Sequence, residues 1–113
     1  MERTRQTDRL FFALSDATRR DIVTQTLDRE RSVSELGRLY PISLTAVQKH
    51  VEVLVGAGLV SKHRRGREQL VRGEAEQLRR AHHLLDELEA LWRSRLVRFE
   101  HVLIEHAGRP KEK

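Results

Sequence analysis

No cysteine occurs anywhere in this chain, which excludes disulfides and thiolate metal sites and suits a reducing compartment. Aromatic residues are scarce as well, at 4% against 35% charged residues. A 113-residue chain of that composition holds one modest core and little bulky material to close it, so burial against a partner chain is expected. Long apolar runs are missing: nothing approaches the roughly 18 residues of a membrane span, and the opening MERTRQTDRL lacks the apolar centre of a signal peptide. The expected location is cytoplasmic, with no membrane partner. Catalytic parts are missing too. There is no cysteine nucleophile, phosphate loop, G-x-S-x-G elbow or well-placed acid/base pair, so an enzyme is not expected, nor a cofactor.

What is present is an uneven charge. The net value is +5, and residues 43–72 hold six Lys/Arg against two Asp/Glu, whereas residues 74–107 hold five against seven. A local excess of this kind suits a polyanion better than it suits general solubility.

The apolar pattern predicts helices and one hairpin. Leu10, Phe11 and Leu14 mark a short first helix, and Ser15 or Asp16 can cap a second that turns Ile22, Val23 and Leu27 inward. Ser32 and Glu35 fit a capping box at the start of a third helix, expected from about Val33 to Leu39. Pro41 stops it, and Ser43 is placed to cap a fourth helix with Val47, Val51, Leu54 and Val55 at helical spacing. After Gly56 and Gly58 the pattern becomes extended: LVSKH and EQLVR flank Arg65-Gly66-Arg67, a two-stranded hairpin with glycine at its turn. Residues 74–107 contain neither proline nor glycine and place Leu78, Leu85, Trp92 and Phe99 seven apart, predicting one long helix with a broad apolar face.

Two short helices joined by a tight turn, the second followed by a basic hairpin, form a winged helix-turn-helix. The expected fold is therefore mainly α, with about five helices and a two-stranded β-hairpin wing, assembled as a dimer. Residues 1–107 form a single DNA-binding and dimerisation domain, with a reading helix at 43–57, a wing at 59–72 and a long C-terminal helix at 74–107. Residues 108–113 form a disordered tail. A reading helix buries one face and shows the other to base edges in the major groove. The candidate DNA-binding residues are Ser43, Leu44, Thr45, Gln48, Lys49 and His50 on the helix, and Arg64, Arg65 and Arg67 on the wing. Gln48 suits adenine, Lys49 guanine or a phosphate, Thr45 either, and Leu44 a thymine methyl. His50 either touches DNA or packs under the helix and bonds to backbone. Thr18, Arg19 and Arg20 either meet phosphate or pair with Asp16 or Asp21. Trp92 and Phe99 either line a pocket or, as heptad spacing favours, lie in a seam between subunits. The candidate dimer interface is Leu10, Phe11 and Leu14 from the first helix with Leu85, Leu88, Trp92, Leu96, Phe99 and Leu103 from the last.

These stretches resemble the ArsR/SmtB family of winged-helix transcriptional repressors. LFFALSDATRRDIV is similar to the family's L-F-x-A-L-x-D-P-T-R-R, and TAVQKHVEVLVGAGLV to its S-A-V-S-x-H-L-x-V-L-x-x-A-G-L-V, so the resemblance covers roughly residues 10–72 in order. Ala17 replaces the usual proline, Leu44 a frequent polar reader and Gln48 a frequent serine, so no operator sequence can be borrowed. The resemblance implies a homodimer that represses transcription from a pseudo-palindromic double-stranded DNA operator, its reading helices about one DNA turn apart, ~34 Å, or a small multiple of that.

The resemblance also implies where a metal would sit. The family's third-helix C-V-C-D-L corresponds here to Ser32-Val33-Ser34-Glu35-Leu36, and hydroxyls are poor ligands for soft or borderline ions. Its last-helix D-x-H is broken by Arg80 ahead of His82. His82, His83, Asp86, His101, Glu105 and His106 read as solvated helix polar residues; the alternative is that His101 and Glu105, which share a face at i and i+4, hold a metal together with a partner subunit. No metal site is expected and the effector is unknown. The alternatives are a metal- or small-molecule-responsive derepressor that uses the last helix, and a winged-helix protein-interaction module.

Overall fold

The computed structural model describes residues 2–111. In chain order it has α1 (Glu2–Leu14), α2 (Ala17–Asp28), β1 (Arg31–Ser32), α3 (Val33–Gly37), α4 (Leu44–Gly56), β2 (Val60–Arg65), β3 (Glu68–Gly73) and α5 (Ala75–Lys111). The expected winged helix-turn-helix is the observed fold: α3 and α4 form the helix-turn-helix, and β2 with β3 forms the wing.

Local chemistry sets most of the boundaries. Asp16 caps α2 by accepting from the Arg19 backbone N–H at 3.0 Å. Ser32 and Glu35 form the full capping box: the Ser32 hydroxyl accepts from Glu35 N at 3.0 Å, and Ser32 N donates to Glu35 Oε1 at 2.9 Å. At the other end of α4, Gly58 takes a φ of 75°. Its N–H reaches Val55 O and the Leu59 N–H reaches Leu54 O, both at 3.0 Å, the bond pair of a Schellman motif that closes the helix over its last carbonyls. Gly66, with φ 61°, opens the two-residue wing turn, the position where a type II′ hairpin requires glycine.

Four boundaries differ from expectation. The sheet has three strands in the order β1-β3-β2, because Arg31 and Ser32 pair with Val71 and Leu70. Two residues ahead of a capped helix carry no alternating pattern, so this strand left no signal. Helix α1 begins at Glu2, since its polar first turns carry no apolar periodicity. Helix α3 ends at Gly37 instead of Leu39. The expected tail at 108–113 overlaps α5, whose backbone stays helical through Lys111, and residues 112 and 113 lie outside the described residues.

The chain divides into two compact units after Ala81. In the first unit, Ile22, Leu36, Val47, Val51, Leu54, Leu59 and Val71 are each less than 2% exposed. They join α2, the helix-turn-helix and the sheet into one core. Leu10 also belongs to that core at 4% exposure, with Phe11 and Leu14 packed partly against it. Leu10, a candidate seam residue, is thus buried within its own chain, and the exposed large residue of α1 is Phe12. The second unit, from His82, is helix alone. No helix among the described residues is long and apolar enough to cross a membrane.

Candidate nucleic-acid interface

Helix α4 turns Val47, Val51 and Leu54 into the core, which leaves Leu44, Thr45, Gln48 and Lys49 on the outside. Ser43 holds the helix start, its hydroxyl accepting from Ala46 N at 3.1 Å. Between this outer face and the wing runs an open groove of about 490 Å³. Thr45, Gln48, Lys49 and Glu52 line it from the helix; Lys62, Arg64, Arg67 and Gln69 line it from the hairpin. Reading-helix and wing candidates far apart in sequence are thus brought together on one basic wall.

Strand alternation divides the wing's arginines. Lys62 and Arg64 face the groove, while His63 and Arg65 turn toward Glu30, at 3.0 Å and 4.0 Å. Lys62 Nζ donates to Glu52 Oε2 at 2.8 Å, tying the wing to α4. Sequence reasoning missed Glu52, Lys62 and Gln69. Their signals were available: Glu52 follows Gln48 by one helical turn, Lys62 precedes Arg64 by one strand period, and Gln69 is the cross-strand partner of Arg64.

His50 is turned inward. Its Nδ1 lies 3.2 Å from Arg19 Nη1 and its Nε2 4.0 Å from Asp16 Oδ2. Of its two readings the packed one describes the geometry, with side chains in place of the backbone partner. Arg19 is 8% exposed and is the hub of this junction. Its Nε donates to Ala13 O at 2.8 Å, its Nη2 donates to Phe12 O at 3.0 Å, and its guanidinium lies 5.0 Å from the centre of the Phe12 ring. Arg20 donates to Leu14 O at 2.7 Å. Both arginines therefore satisfy carbonyls at the C-terminus of α1, where the helix dipole favours cations. Neither the phosphate reading nor side-chain pairing with an aspartate accounts for their bonds. The Asp16 carboxyl is held below its ordinary value first by the Arg19 backbone N–H, which outweighs the opposing effect of burial, with smaller electrostatic contributions from His50 and Arg19.

A similar fastening lies under the helix-turn-helix. Tyr40 donates to Asp21 Oδ2 at 2.6 Å, and burial together with that carboxylate raises its phenol well above the usual range. Ser32, at the family's third-helix metal position, is 2% exposed and committed to the capping box. On α5, His83 pairs with Glu87 at 3.5 Å and His106 Nδ1 lies 2.9 Å from Val102 O. Among the described residues no three His, Cys, Asp or Glu side chains converge as a metal-holding group.

The seam candidates of the second unit are open in the single chain. Trp92 is 59% and Phe99 61% exposed, and Leu85, Leu88, Leu96 and Leu103 are exposed with them.

Comparison with known proteins places these features. A family described as a helix-turn-helix domain matches residues 14–63. The HTH-type transcriptional regulator Rv2034 of Mycobacterium tuberculosis is 43% identical over 60 residues, which cover 53% of this chain and 56% of that protein; the chain thus spans little more than half of that relative. An ArsR-like transcriptional regulator from Rhodococcus sp. RHA1 superimposes with a TM-score of 0.79 at 30% identity, over 90% of this chain and 96% of its own. The homodimeric winged helix-turn-helix DNA-binding domain of Mb0332 from Mycobacterium bovis superimposes with a TM-score of 0.62 at 25% identity, over 77% of this chain and 81% of its own.

Proposed function

Since the chain belongs to the ArsR family of transcriptional regulators, with the family's winged helix-turn-helix fold, we propose that it is a sequence-specific DNA-binding repressor acting as a homodimer on a pseudo-palindromic operator. The observation that carries this reading is the groove, where Thr45, Gln48 and Lys49 of the reading helix face Arg64 and Arg67 of the wing. In this reading α4 lies in the major groove. Thr45, Gln48 and Lys49 meet base edges, and the wing's arginines neutralise the flanking backbone. Leu44 supplies an apolar surface for a thymine methyl. Ser43 and His50 act through the helix itself, one capping it and the other fastening it to Arg19.

Dimerisation supplies the second half-site. Support comes from the open apolar face of α5, Leu85, Leu88, Trp92, Leu96, Phe99 and Leu103, which a single chain leaves in water. Control that bypasses a third-helix metal site is part of the proposal, because the Ser32 hydroxyl is already used as a helix cap. Zinc added to chelator-stripped protein leaves operator affinity unchanged; a loss of about tenfold that disappears in His101→Ala overturns that part.

The deciding experiment is selection of genomic fragments by the purified protein, then titration of the enriched sequence and a random duplex at several salt concentrations. Enrichment of a two-fold-symmetric sequence is expected. Lys49→Ala lowers discrimination between the two duplexes, whereas Arg67→Ala weakens both and flattens the salt slope by about one charge. Binding that neither variant changes rules out this docking, and no salt-dependent binding at all returns the fold to the class of protein-interaction modules.

A further inference from the structure

Among the charged side chains lining the groove, Lys49, Lys62, Arg64 and Arg67 are basic and Glu52 is the acid. Glu52 stands one turn past Gln48 and two past Thr45, so α4 presents these three as a stripe along the groove, with about 6 Å of helix axis between Gln48 and Glu52. Its Oε2 accepts from Lys62 Nζ at 2.8 Å, yet its side chain remains 58% exposed. An open ion pair of this kind adds little to folding, so stability does not account for an acid at this place.

Electrostatics gives a sharper account. A carboxylate on a wall that meets DNA is repelled by every phosphate, whatever the sequence. The contact that reverses the sign is acceptance of a hydrogen bond from a base amino group, and in the major groove glutamate does this at the N4 amino group of cytosine. We propose that Glu52 is a specificity-determining residue that reads cytosine, and that Lys62 is its positioning partner, holding Oε2 against the wing while Oε1 faces the base. This inference rests on the DNA-binding reading above. At a cytosine the carboxylate adds affinity; elsewhere it subtracts affinity, and wrong sequences are rejected by an unpaired charge.

The test uses the full-length protein with a pool of random-sequence duplexes and one fixed random duplex, comparing wild type with Glu52→Gln and Lys62→Met. Circular dichroism and sedimentation establish that fold and assembly are retained in both variants. Wild type enriches cytosine at one position of each half-site. Glu52→Gln loses that preference while keeping the others, binds the fixed random duplex more tightly, and narrows the ratio of selected to random affinity by about fivefold or more. Lys62→Met weakens the same preference in part. If Glu52→Gln tightens both duplexes alike and leaves the enriched sequence unchanged, Glu52 is only a charge and the proposal is overturned. A wild-type protein that enriches nothing sinks the DNA-binding reading and this one with it. A wild type that enriches a sequence which Glu52→Gln reproduces at every position removes the assignment of Glu52 alone.

Discussion

Residues up to Ala81 and the helix beyond it use similar apolar side chains to opposite ends. In the first unit, leucine, isoleucine and valine from six elements disappear into a shared core, with Leu36, Leu54 and Leu59 fully buried. From His82 onward, Leu85, Leu88, Leu91, Trp92, Leu96 and Phe99 stay exposed on a single helix that supplies no second surface of its own. The difference teaches that hydrophobicity does not by itself place a residue in a core; the topology must bring a second surface. In one chain the helix-turn-helix and the sheet do so. For the last helix, a second copy of the same chain is the proposed surface.

Truncations on the two sides of this divide give the largest effects and different signatures. Trp92→Ala removes two indoles from each proposed dimer, at about 3 kcal/mol or more apiece. Sedimentation should show dissociation and operator affinity should collapse, while circular dichroism of the first unit holds. A variant that stays dimeric and binds normally places Trp92 outside the seam. Leu54→Ala removes one fully buried side chain and costs about 2–5 kcal/mol of unfolding free energy. Its denaturation midpoint should fall at any protein concentration, whereas the Trp92 loss should be partly recovered by concentrating the protein.

The junction of α1, α2 and α4 offers a finer probe. Arg19→Met keeps much of the side chain's bulk and strips the hydrogen bonds to the Phe12 and Ala13 carbonyls and to His50. Leaving buried acceptors unsatisfied costs about 1–3 kcal/mol. Chemical denaturation measures it, and an unchanged midpoint would mean that water replaces the guanidinium without loss.

The smallest effect is confined to acid. Asp16 and Glu35 both cap helix starts, and both carboxyls are held below their ordinary values: Asp16 first by the Arg19 backbone N–H, Glu35 first by the Ser32 backbone N–H and then by Arg29. A group whose folded pKa is lowered contributes stability that is complete above its unfolded value and is lost as pH falls through the folded one. The window therefore opens near the ordinary values of 3.8 and 4.5 and extends below them. Asp16→Asn keeps a competent cap at neutral pH and should flatten the acid limb of a stability-against-pH curve; a limb of unchanged steepness assigns it to other groups.

Some of this was legible in advance because its causes are local. The Ser32–Glu35 box, the Ser43 cap, the glycine ending α4 and the glycine of the wing turn each depend on a few neighbouring residues, and each appears where the sequence placed it. Resemblance to the ArsR/SmtB family was readable for the same reason, since its motifs run continuously through those elements. Strand β1 was not, because two residues have no period and owe their pairing to β3, some forty positions away.

The candidate site divides along the same line. Sequence alone determined that basic and polar side chains would crowd onto one helix and one hairpin, and that a long last helix would carry an apolar face. Tertiary structure decided which of them meet. It turned Arg64 and Arg67 into the groove and Arg65 toward Glu30, drew His50 down to Arg19, set Glu52 against Lys62, and committed Leu10 to its own core. The physical reason is that periodicity fixes which side of an element a residue occupies, whereas what lies on that side is fixed only when distant segments pack.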